Sequence, residues 1–248
     1  MSHNDGKLVL TTSWDDGHPL DLRIAGLLAK HGLRGTFYVP LENSRPTLSV
    51  AQIHDLAASF EIGAHTVHHR ILTELSDDEA RAEVFESKAR IEEITSKPCR
   101  AFCFPSGRFT RAHIHMLVGA GFSSARTVEL LSIEFPSERD GIAMIPTTVQ
   151  AHPHSSWSYM RNTLKRSKYT ALSRFLLFDN YAQGWESVAT ALLCRAAKNG
   201  GAFHLWGHSW EIEENHQWQA LERVLEAMAE AGQSTPCFTN SELCSNGH

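Results

Sequence analysis

Short apolar runs alternate with stretches of helical hydrophobic spacing along most of this 248-residue chain. Parallel strands need a crossover of a dozen or more residues between them, and the helix supplies it. That alternation is the mark of βα units around a parallel sheet or barrel. Lys7–Ser13 reads as the first strand and runs into the polar turn Asp15-Asp16-Gly17-His18-Pro19. Ile24, Leu27 and Leu28 take i, i+3, i+4 spacing in a helix that His31-Gly32 stops. Gly35–Val39, Glu61–Ala64, Ala101–Phe104, Ser123–Thr127, Gly141–Pro146 and Gly201–Trp206 read as further strands, with Thr235–Thr239 as a closing one. Ser49-Val50-Ala51-Gln52 and Ser76-Asp77-Asp78-Glu79 are capping boxes that open two more helices, the second running through Val84, Ile91 and Ile94 to Lys97-Pro98. Gly184–Lys198 and the stretch carrying Trp218, Leu221, Val224, Leu225 and Met228 are helical as well. With no repeat and no linker, a single domain over residues 1–248 is predicted.

Composition excludes some functions. A net charge of −5 leaves no general basic footprint for nucleic acid. No run reaches the roughly 18 apolar residues of a membrane span. The start, Met1 to Lys7, is short and polar, and the five cysteines are odd in number and form no CxxC. They read as reduced thiols, and the chain as cytoplasmic. Fifteen histidines raise the prospect of a metal site.

Four stretches carry chemistry. Thr12-Ser13-Trp14-Asp15-Asp16-Gly17 places adjacent carboxylates at a strand end, where barrels keep their reacting groups. Asp-Asp-Gly alone is also good turn chemistry. His65-Thr66-Val67-His68-His69 follows another short strand, and histidines four apart can converge on one metal. No glutamate base lies between them, which excludes the zinc-protease pattern. His68 is expected to face outward. Phe102-Cys103-Phe104-Pro105-Ser106-Gly107 runs into a turn that can offer a backbone N–H to an oxyanion. Phe203–Glu211 reads as a late strand in which His204 or His208 could be a general acid.

In this order, these pieces resemble the polysaccharide deacetylase (NodB-homology) family. Asp15-Asp16-Gly17 is similar to its (T/S)-(F/W)-D-D-G motif, Gly35-Thr36-Phe37-Tyr38-Val39 to its ATFF strand, and His65-Thr66-x-x-His69 to its H-(S/T)-x-x-H motif. Pro105-Ser106-Gly107 stands where the family has Pro-Tyr-Gly. The resemblance implies an α/β fold, a distorted (β/α) barrel commonly of seven strands. It implies Asp15 as general base, and Asp16, His65 and His69 as ligands of one divalent transition metal, usually zinc. An oxygen with two imidazoles also suits cobalt, nickel or iron. Ser106 would offer its backbone N–H to the oxyanion, with His208 ahead of His204 as general acid.

The departures shape the expectations. Many members carry an arginine three residues before the Pro-Tyr-Gly tyrosine, where it tethers the base; here Cys103 stands there. Arg100 would point to the opposite face, whereas Arg126, at the end of another strand, could supply the charge. Ser106 in place of an aromatic residue reshapes the acyl pocket. The expected reaction removes an N-acyl group, first of all acetyl, from an amino sugar or short saccharide. Hydrolysis of non-sugar amides, including cyclic ones, and glycan binding without turnover are the rivals. The stretch His152–Tyr181, with Trp157, Tyr159, Arg161, Lys165, Arg166 and Lys168, reads as a lid over a sugar phosphate or as a solvated basic helix. Oligomeric state is not legible, and a small soluble or lipid-linked substrate is expected rather than an insoluble polymer.

Overall fold

The computed structural model describes residues 7–153 and 184–246. The lid reading of Trp157 to Lys168 therefore lies outside the described residues. Among those, ten strands form one sheet. They are β1 (Leu8–Asp15), β2 (Thr36–Val39), β3 (Glu61–Ala64), β4 (Ala101–Cys103), β5 (Ser124–Arg126), β6 (Ser137–Arg139), β7 (Ile142–Ile145), β8 (Val149–Gln150), β9 (Gly201–Gly207) and β10 (Cys237–Phe238). The α-helices of the described residues are α1 (Asp21–Lys30), α2 (Val50–Leu56), α3 (Asp77–Thr95), α4 (Arg111–Ala120), α5 (Trp185–Asn199), α6 (Ser209–Glu214), α7 (Trp218–Ala231) and α8 (Asn240–Asn246).

Every residue of β1 and β9 is buried, as expected of parallel strands covered on both faces. They pair from Leu8↔Gly201 to Trp14↔Gly207. On its other side β1 takes β10 along its first half and β2 along its second. The full order is β6-β7-β5-β4-β3-β2-β1-β9-β8. Its two ends belong to one stretch of chain, because β7 and β8 are separated only by Pro146-Thr147-Thr148. β7 pairs with β5 and β8 with β9, so this short link ties together the two sides of a curled sheet.

The class is thus the expected distorted α/β barrel, with ten strands where seven are expected. Pro146, which cannot donate to a ladder, separates β7 from β8. β6 adds an antiparallel edge to β7, and β10 is a short addition to β1. Helix α4 went unread in the sequence because its capping box, Thr110 with His113, has histidine where glutamate or glutamine marks the pattern. The Ser49 and Ser76 boxes form as expected. The stretch read as a strand to Glu211 stops at Gly207, and α6 begins at Ser209. All five cysteines are free thiols. Among the described residues no helix is long and apolar enough to cross a membrane.

Tight strand packing has a testable consequence. A Cβ at Gly63, on β3, would lie 2.5 Å from the buried Tyr38 ring and 3.0 Å from the Ala101 carbonyl. Gly63→Ala is expected to cost about 1–3 kcal/mol by overpacking, read as a lower Tm. Gly26, on α1, has nothing within 4 Å of such a Cβ, so Gly26→Ala is expected to gain about 0.5–1 kcal/mol. Equal melting of the two variants would contradict the packing around Tyr38.

Candidate active site

The C-terminal end of β1 builds the centre of the site. Asp15 is its last residue, and Asp16 and Gly17 leave it with φ values of 77° and 58°. Glycine is required at 17, because a Cβ there would lie 2.8 Å from Val39 Cγ1. Both carboxylates are buried. Arg126, itself fully buried, donates from Nη2 to Asp15 Oδ2. It arrives from β5 directly beside Cys103, its register partner on β4. The guanidinium also lies 4.5 Å from the Trp206 ring centroid and 5.5 Å from that of Tyr38. Burial alone would raise the Asp15 pKa, but Arg126, then His65 and His208, hold it below the usual carboxylate range.

β3 delivers His65 one residue past its end, and the following turn brings round His69, with φ 65° at Thr66 and 53° at His69. Buried Glu83 on α3 holds this turn, accepting from the backbone N–H groups of Val67 (2.8 Å) and His68 (3.0 Å). The His68 ring turns outward to Glu83 and Glu42, as expected. His65 Nδ1 lies 2.8 Å from the Cys103 carbonyl. A carbonyl only accepts, so Nδ1 carries the proton and Nε2 keeps its lone pair. That Nε2 is 3.7 Å from Asp16 Oδ1, and His69 Nε2 is 3.1 Å from the same oxygen. Burial draws the His65 pKa down to about 4, which keeps it a neutral donor.

Asp16, His65 and His69 present three donor atoms within 4.8 Å of one another. Asp16 Oδ1 is buried and takes no hydrogen bond of good geometry, facing only the His65 and His69 nitrogens, and a buried carboxylate oxygen calls for a partner. One oxygen and two imidazole nitrogens of this kind fit a divalent transition metal. Asp15, His65 and Cys103 are equally close. That triad is the poorer candidate, because burial pushes the Cys103 thiol well up and Arg126 already occupies Asp15.

The two late histidines separate cleanly. His204 is buried, with Nε2 2.9 Å from Ser13 Oγ and Nδ1 2.9 Å from the Pro146 carbonyl. Burial lowers its pKa to about 3. Both nitrogens are engaged within the barrel wall and the ring does not border the cavity, so the geometry does not bring His204 to the reacting groups. His208 Nδ1 lies 2.7 Å from Glu211 Oε2, and its Nε2 is 4.0 Å from an oxygen of each of Asp15 and Asp16. Burial disfavours its charge, but Glu211, Asp15 and Asp16 raise its pKa to about 9. Gln150 Nε2 donates to Glu211 at 2.9 Å.

These groups surround a cavity of about 370 Å³, walled also by Phe104, Val128, Leu130, Trp206 and Trp210. Ser106 borders it with φ 56°, while Pro105 is buried in the turn behind. A hollow of about 380 Å³ at the opposite end of the strands is lined by Arg34, Glu61, Lys97, Arg100 and Glu242. The first is the site, because barrels place chemistry at C-terminal strand ends and the metal-type donors converge there. Glu83, Gln150, Trp210 and Glu211 went unread in the sequence. Of these, only Glu211, three residues beyond His208, left a local signal.

A family model described as polysaccharide deacetylase matches residues 2–125. No curated protein matches the chain significantly. Among solved structures, a candidate polysaccharide deacetylase from Mycobacterium smegmatis aligns with TM-score 0.70 at 18% identity, covering 99% of this chain and 92% of its own. The chitin deacetylase of the fungal pathogen Colletotrichum lindemuthianum aligns with TM-score 0.59 at 14% identity, covering 96% and 92%. PdaA of Bacillus subtilis, a family 4 carbohydrate esterase, aligns with TM-score 0.58 at 16% identity, covering 100% and 84%. At these identities the alignments speak for the fold.

The buried pair sets a test. Arg126→Met leaves Asp15 as an uncompensated buried charge and is expected to cost about 3–5 kcal/mol at neutral pH, read from the urea midpoint. Because Asp15's pKa is lowered in the fold, the pair stabilises above the usual carboxylate range. That contribution is lost as pH falls through the lowered value, so the gap between the proteins should narrow towards acid. Adding Asp15→Asn should recover much of the loss. Equal neutral-pH stability of Arg126→Met and wild type would show that the pair carries no weight.

Proposed function

This chain belongs to the polysaccharide deacetylase family, and from that premise we propose that it is a metal-dependent hydrolase removing an N-acyl group, acetyl first, from an amino sugar or short saccharide. One observation carries this reading. A single cavity holds an ionised carboxylate on Arg126, a protonated imidazole on Glu211, and the Asp16–His65–His69 donor set. Asp16, His65 and His69 would hold the metal, zinc first, with cobalt, nickel or iron chemically compatible. When bound, it supplies Lewis-acid polarisation of the acyl carbonyl and lowers the pKa of a water.

The chain's own groups do the rest. Asp15, kept ionised by Arg126, takes a proton from the attacking water as its oxygen bonds to the acyl carbon. The backbone N–H of Ser106 is assigned to the oxygen that gains charge. As the C–N bond breaks, His208 gives the proton on Nε2 to the departing amine. Asp15 then returns its proton to His208, 4.0 Å away, which leaves the products acid and amine. A protein that only bound glycan would have no use for a buried, arginine-held base beside a protonated histidine.

Purified protein is expected to carry about one divalent transition metal per chain by elemental analysis, lost in Asp16→Ala, His65→Ala and His69→Ala. Asp15→Asn and His208→Gln should keep the metal but lose roughly 10²-fold or more in acetate release from N-acetylated oligosaccharides. Undiminished turnover by His208→Gln would move the acid role elsewhere. A panel of polymer, short oligosaccharide and non-sugar amides distinguishes the substrate classes. Turnover of cyclic amides alone would replace this reading with its rival.

A further inference from the structure

We propose that Trp210 is a positioning residue for the metal ligand Asp16, holding that carboxylate so that only Oδ1 faces His65 and His69. The inference rests on the metal-site reading above. The indole Nε1 of Trp210 donates to Asp16 Oδ2 at 2.9 Å. Oδ1, buried and taking no hydrogen bond of good geometry, is the oxygen facing His65 and His69. An indole N–H donates and cannot accept, so it marks one oxygen as taken. Unheld, the carboxylate could rotate or offer both oxygens to a cation.

The indole is itself fixed. The Arg45 guanidinium stacks 3.5 Å from its ring centroid and pairs with Glu214, on the same helix, at 3.0 Å. The His208 ring lies 5.4 Å away, tilted by 39°. One residue back, Ser209 donates to fully buried Asp21 at 2.5 Å, tying the start of α6 to the start of α1 just beyond Asp16. Arg45 lies over the ring and the indole N–H points to Asp16. The distinctive contact of Trp210 is the one to the metal ligand. Outer partners of metal ligands typically matter 10–100-fold in affinity.

Trp210→Phe removes the N–H and keeps a ring for Arg45. Zinc affinity of metal-stripped full-length protein, measured by competition with a chromophoric chelator, is expected to fall about 10–100-fold, with thermal unfolding of the stripped protein little changed. The cobalt-loaded variant should show an altered visible spectrum, reporting changed coordination. Unchanged affinity and spectrum in Trp210→Phe overturn the positioning role while leaving the metal site standing. Wild-type protein that takes up no zinc or cobalt overturns both. If Trp210→Phe does not fold, Arg45→Gln, which frees the indole without removing its N–H, should show a smaller loss in the same direction. Wild-type affinity there would refute the clamp.

Discussion

Burying charge is the constraint around which this molecule is arranged. Asp15, Asp16, His65 and Arg126 are each almost wholly removed from water at one end of the barrel. An isolated ion could not persist there. The arrangement stands because each group answers another: Arg126 answers Asp15, the Cys103 carbonyl fixes His65, Trp210 covers one oxygen of Asp16, and Glu211 balances His208. Buried ion pairs add little over a well-packed apolar core, but breaking one is costly. The site is therefore a set of mutual obligations, and its chemistry and its contribution to folding cannot be separated residue by residue.

The backbone shows the same tension. Asp16, Thr66, His69 and Ser106 all have positive φ without being glycine, a state that costs of order 1–3 kcal/mol each where the surroundings impose it. These four stand at three different strand ends, β1, β3 and β4, around one cavity. The turn of His65 to His69 keeps its shape because Glu83, on the long helix α3, accepts its backbone donors. A helix packed into the core thus also holds the ligand loop in place.

What the sequence revealed was local in origin. The strand–helix alternation, the two serine capping boxes, Asp-Asp-Gly and the histidines four apart each depend on spacing within a few residues. What local spacing leaves open, even for an expected residue such as Arg126, depends on contacts across the sheet. Arg126 stands beside Cys103 only through the pairing of β4 with β5, so the charge missing from one strand enters at the same height from its neighbour. His204 and His208 share a face by strand spacing. Only burial, and the end of β9 at Gly207, set one in the wall and the other in the cavity. Trp210 and Glu211 belong to a helix that the apolar run before it disguised as more strand. β8, beyond the expected strand that ends at Pro146, is only two residues long and left no pattern to read.

The stretch from Ile142 to Gln150 links the two sides of the curled sheet, since it supplies the last parallel strand at each of them. It is also part of the site: Gln150, on the cavity wall, donates to Glu211, the partner of His208. The same stretch therefore finishes both the sheet and the cavity, and β9, on which β8 rests, in turn pairs with β1 across most of the chain. Such long-range pairing is slow relative to local helix formation. During synthesis the Asp-Asp-Gly strand leaves the ribosome well before β9, so a nascent chain that holds its ligands still lacks the wall that completes the pocket around them.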